Sequence, residues 1–183
     1  MKNNMKTKHF FLISPFVFIG MVLMITSSCK KENENQNNGV ECFFNYDGKT
    51  FTLTEGILGN YGPTGEGSYE LELWLYSGIT FINADSVSGK GSWIGINLNS
   101  NAATLTPGNY SKVDGNYAPF TTRGAAFVTN WDSALEDQHY VYVKSGQVKV
   151  ISVSSDQIEM SFDLVSTEDK SVSGYYKGKV LIY

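Results

Sequence analysis

The chain has 183 residues, with 14 basic and 18 acidic side chains and a formal charge of −4. Net repulsion from a phosphate backbone argues against a nucleic-acid partner. Only two cysteines occur, which excludes a disulfide-dense scaffold and leaves a packed apolar core to hold the fold.

In chain order, Lys2, Lys6 and Lys8 come first, with no acidic residue among them, followed by the 16-residue apolar run FFLISPFVFIGMVLMI. As a helix this run would cover roughly 24 Å, short of the roughly 30 Å hydrocarbon core, and Pro15 and Gly20 weaken it as a span. A cleaved signal peptide over residues 1–28 is expected. Ile25-Thr26-Ser27-Ser28-Cys29 resembles a bacterial lipobox, departing from its pattern at Thr26. That resemblance implies lipidation of Cys29 and a palmitate-type lipid anchor, two or three acyl chains being needed for durable attachment. With Cys29 in a thioether, no intramolecular disulfide is expected. Loss of the leader leaves eleven basic against eighteen acidic residues, a charge of about −7. Residues 29–39 then read as the lipidated cysteine and a disordered polar linker, because KKENENQNNG offers nothing apolar to bury.

Residues 40–183 read as a single all-β domain, since the apolar period there is two. Glu41 to Tyr46 and Thr50 to Thr54 form a hairpin around Asp47-Gly48. Gly56 to Tyr61 continues past a bulge, and residues 62–67 are a loop. In Ser68 to Ser77, Tyr69, Leu71, Leu73 and Leu75 alternate with Glu70, Glu72, Trp74 and Tyr76, so one face is core. Asn83 to Gly91 reads as a loop and Ser92 to Asn99 as a strand with Ile94, Ile96 and Leu98 inward. Pro107-Gly108 turns the chain into a short strand around Tyr110. Ala125 to Trp131 pairs with His139 to Lys144, Gln147 to Val153 follows, and Gln157 to Val165 points Ile158, Met160, Phe162 and Leu164 one way. After the turn Glu168-Asp169-Lys170, Val172 to Tyr183 closes the chain. About ten short strands of this kind build an antiparallel β-sandwich, jelly-roll-like, or alternatively a calycin-like β-barrel. Glu70, Glu72, Glu159 and Asp163 on the second faces argue against a membrane barrel.

Tyr46-Asp47-Gly48-Lys49-Thr50-Phe51, the turn Leu105-Thr106-Pro107-Gly108-Asn109-Tyr110, Ser145-Gly146-Gln147-Val148 and Ser173-Gly174-Tyr175-Tyr176-Lys177-Gly178 are similar to segments of small β-rich Bacteroidetes cell-envelope lipoproteins. The resemblance implies a lipoprotein lipid-anchored to the outer membrane, surface-exposed or facing the periplasm. It carries no catalytic residues with it.

The residues themselves offer little chemistry. Zinc needs three or four N, S or O ligands, and His139 is the domain's single imidazole. The loop containing Asp132, Glu136, Asp137 and His139 supplies about half the oxygens a calcium ion takes. No cofactor, no metal and no catalytic residue are assigned. Asp132, Ser133 and His139 have the residue types of a triad without a nucleophile elbow, and Glu70 with Glu72 have the separation of a glycosidase pair on one strand face. Trp74 and Tyr76 on that polar face are the candidate ligand-binding residues. They form either a platform for a glycan or peptide or a satellite core covered by a loop. The expected function is a binding or accessory module without enzymatic activity. The alternatives are an envelope-bound hydrolase directed at glycans and a structural or adhesive module.

Overall fold

The computed structural model describes residues 41–83, 86–115 and 117–183. The signal peptide, Cys29 and the linker lie outside the described residues. Within them there is no helix and there are eleven strands: β1 Phe43–Tyr46, β2 Lys49–Thr52, β3 Glu55–Pro63, β4 Tyr69–Asn83, β5 Ser86–Ser100, β6 Gly108–Lys112, β7 Thr121–Asp132, β8 Val141–Val153, β9 Gln157–Ser166, β10 Ser171–Lys179 and β11 Leu181–Ile182.

The first turn is set locally. Asp47 and Gly48 sit at φ 51° and 73°, the pair of left-handed conformations that matches the twist of two antiparallel strands. β1 and β2 therefore register Tyr46 against Lys49 and Phe43 against Thr52.

The strands form one sheet in the order β11-β3-β4-β5-β7-β6-β8-β9-β10-β1-β2. A two-sheet sandwich was the first expectation, but the pairing runs through all eleven strands without a break and the sheet curls into a half-barrel. The sheet is also mixed rather than wholly antiparallel. β11 lies parallel to β3, and β6 lies parallel to β7 while pairing antiparallel with β8. β6 is a short wedge, since β7 and β8 pair directly at Ala126–Tyr142 and Phe127–Val141.

The two edges of the sheet are carried by the same stretches of chain. The Leu53 N–H donates to the Cys42 carbonyl at 2.8 Å, extending the β1–β2 ladder. One residue later the Thr54 N–H donates to Tyr76 at 2.9 Å, joining β3 to β4. The chain thus crosses from one edge to the other within two residues. Near the C-terminus the Val180 N–H donates to Asp156 and the Tyr183 N–H to Leu58, a second crossing of the same seam.

Curling puts one face of every long strand inside. Leu73, Leu75, Ile94, Ile96, Leu98, Val148 and Met160 are fully enclosed, and the inward residues expected on β4, β5 and β9 are buried except Tyr69, which is half-buried. Phe44 from β1 stacks on Phe51 at 4.9 Å and meets Phe127 of β7 edge-on at 5.8 Å, so rings from distant parts of the sheet fill the middle. Cys42 is buried beside β10 and accepts the Lys177 N–H on its sulfur at 3.1 Å.

Candidate functional site

A second apolar cluster lies outside the curl, on the opposite face of β4, β5 and β7. It contains Ile57, Tyr76, Ile79, Trp93 and Val128, with Trp74, Phe81, Val87, Ala126 and Trp131 packed against it. Alternation explains the first half. If Leu73 and Leu75 point inward, Trp74 and Tyr76 must point outward, and Trp93 must do so beside Ile94.

The other half comes from a change of phase. Regular alternation would send residues 78 and 80 outward, but the register shifts between Ser77 and Ile79, so Ile79 and Phe81 join Trp74 and Tyr76. Gly78, at φ 72°, makes the shift. A Cβ on Gly78 would lie 2.3 Å from the Lys90 carbonyl oxygen, and one on Gly91 would lie 1.8 Å from that of Ser77. Backbone meets backbone here, and no side chain fits between. The far part of the β4–β5 hairpin bends over the outer face as a result, bringing Phe81 edge-on to Trp74 at 6.0 Å and against Tyr76 at 4.8 Å.

Gly95 serves the floor. It faces Trp74 across the β4–β5 ladder, and its α-carbon lies beneath both indoles, a Cβ there falling 3.3 Å from Trp93 and 3.6 Å from Trp74. The indoles come within 4.6 Å of one another, tilted by 35°.

These parts enclose a groove of about 490 Å³. Trp74 and Trp93 form its floor, and the hairpin arm supplies Ile79, Phe81 and Val87. Trp131 and Tyr140 enter from the β7–β8 side, and Tyr61, Leu181 and Tyr183 from the β3–β11 edge. The size and apolar lining are those of a small-molecule site. Tyr140 meets Trp93 edge-on at 5.8 Å. Among the described residues the Trp131 Nε1–H, buried, has no hydrogen-bond partner, a donor that is costly to leave unmade.

Among the described residues, one carboxylate reaches the groove. Glu72, two residues before Trp74, accepts the Tyr61 hydroxyl at 2.8 Å. The Tyr61 phenol is held well above its ordinary range, first by that hydrogen bond and then by burial. Tyr76 takes the other path open to it. It is buried beneath the arm, donates to Glu55 at 3.3 Å, and its pKa is pushed up to about 12, mostly by burial and then by the Glu55 charge. Of the two candidates, Trp74 lines the groove and Tyr76 is the covered core behind it.

The catalytic coincidences are drawn apart. Glu70 bonds Arg123 at 2.7 Å, and that guanidinium lies over Tyr117, so Glu70 and Glu72 serve different partners. Asp132 pairs with Lys90 at 2.6 Å, Ser133 accepts the Gly89 N–H on its hydroxyl, and His139 sits 3.4 Å from Glu168.

Sequence reasoning missed Phe81, Trp93, Trp131 and the tyrosines. Trp93 alone carried a readable signal, since the inward Ile94 and Ile96 force it outward next to Trp74. Comparison with family models, curated proteins and solved structures finds no match to this chain.

Proposed function

We propose that the protein is a binding module of the bacterial cell envelope, lipid-anchored through Cys29 to the outer membrane, which holds its ligand in the outer aromatic groove. The observation that carries the groove is that all three tryptophans of the chain line it. An apolar face this size would ordinarily be covered, and this one is left open at its exposed rim, where Tyr61 and Tyr183 stand. The fold we infer is the calycin-like barrel, supported by the seam at Leu53 and Thr54. Its interior is filled by side chains, so the ligand is held outside the barrel.

The hydrolase reading has less behind it, because the carboxylates and the Ser/His/Asp set turn to separate partners. The anchor rests on the leader and lipobox of the sequence. The mass of the mature protein decides whether Cys29 carries that thioether. A diacylglyceryl group on Cys29 supports the anchor; an unlipidated N-terminus or a retained leader refutes it.

The groove is tested with N-phenyl-1-naphthylamine, a neutral apolar dye whose emission rises on burial. Saturable one-to-one binding is expected, weakened at least tenfold in Trp74→Ala and unchanged in Ser161→Ala on the far side of the sheet. Equal binding by a folded Trp74→Ala protein would overturn the reading.

A further inference from the structure

The groove is one-sided in charge. Among the described residues, Glu72 is its one charged lining residue, and no lysine, arginine or histidine lines it. Lys90 on the hairpin arm is paired with Asp132, and His139, next to Tyr140, sits against Glu168, so neither brings positive charge to the groove. The seven lining rings add the negative faces of their π-systems to the charge of Glu72. A carboxylate, sulfate or phosphate ligand would meet the Glu72 charge with no cationic side chain among the described lining residues to offset it. A sugar would find only Glu72, the Trp131 Nε1–H and the tyrosine hydroxyls for its own hydroxyls, since among the described residues the lining includes no asparagine, glutamine, aspartate, serine, threonine or arginine.

We propose that the groove binds a small organic cation, an ammonium group on an apolar body, with the positive head against the indole faces and the Glu72 carboxylate. The proposal rests on the groove being a binding site. Aromatic rings attract a desolvated cation strongly, and a carboxylate beside them adds a full opposite charge. The buried core lends rigidity to the rings, because Gly95 seats both indoles flat on β4 and β5 and Phe81 abuts the first.

Choline and its neutral carbon isostere, 3,3-dimethylbutan-1-ol, separate charge from shape. Each is titrated into the full-length mature protein at constant ionic strength while indole fluorescence is followed. Choline is expected to bind about tenfold or more tightly than the alcohol. Glu72→Gln, close in shape, should bring choline to the level of the alcohol and leave the alcohol unchanged. Equal affinities, tighter binding of the alcohol, no binding of choline, or indifference of choline to Glu72→Gln would each overturn the inference. The naphthylamine dye keeps the two readings apart. If it fills the groove while choline fails, only the choice of a cation falls; if neither binds, the groove itself is lost as a site.

Discussion

β4, β5 and β7 carry two apolar faces, and the same strands treat them differently. On the inner face Leu73, Ile94 and Phe127 are 0% exposed and the space is filled by rings from β1 and β2. On the outer face Trp74, Phe81 and Trp131 are half-buried and rimmed by tyrosines around an open groove. A face closed by its own sheet is structure. A face assembled from a bent hairpin arm, a strand end and the C-terminal residues, and still open, has the build of a site.

This contrast can be broken most severely from inside. Phe127→Ala should cost about 3–5 kcal/mol in denaturant unfolding, because the curled sheet cannot collapse around the missing ring. Gly91→Val strikes the outer face alone. Its new Cβ meets the Ser77 carbonyl, so the hairpin arm should detach at a cost of about 1–3 kcal/mol, with far-ultraviolet circular dichroism retained and dye binding lost. Dye binding retained in a folded Gly91→Val protein would mean that the arm is not a wall of the site. Trp74→Ala should cost less, about 1–2 kcal/mol for a half-buried ring, and should cut dye affinity at least tenfold.

The smallest expected effect is a pH dependence at the alkaline end. The phenols of Tyr76 and Tyr175 are raised from 10.0 to about 12, each by burial first and then by a neighbouring glutamate, Glu55 and Glu159. The folded state holds these protons more tightly than the unfolded chain does. The stabilisation is therefore complete below pH 10 and is lost as pH rises toward 12. Spectroscopic titration should show a group of tyrosines ionising late, and Tyr76→Phe should remove one of them.

The all-β fold, the first hairpin and the inward faces of β4, β5 and β9 were legible because alternation and a turn pair such as Asp47-Gly48 are local. Sheet order was not. Whether strands stack as two sheets or curl as one is decided by seams such as Leu53–Thr54, where two neighbouring amides choose opposite edges. The groove was half legible. Trp74 stands out as an aromatic on a polar face, but the sequence reads Asn83 to Gly91 as a loop, whereas Ser86 to Gly91 belongs to β5. A glycine that breaks a strand and a glycine that bends one look the same until the partner strand is known.

The most direct test of the claim that the outer face is the working surface uses the three indole N–H signals in a nuclear magnetic resonance titration with N-phenyl-1-naphthylamine. The account predicts that Trp74, Trp93 and Trp131 shift together along one saturation curve while the methyls of Leu73 and Ile96 stay in place. Saturable binding that moves those inner methyls and leaves the three indoles unchanged would contradict it.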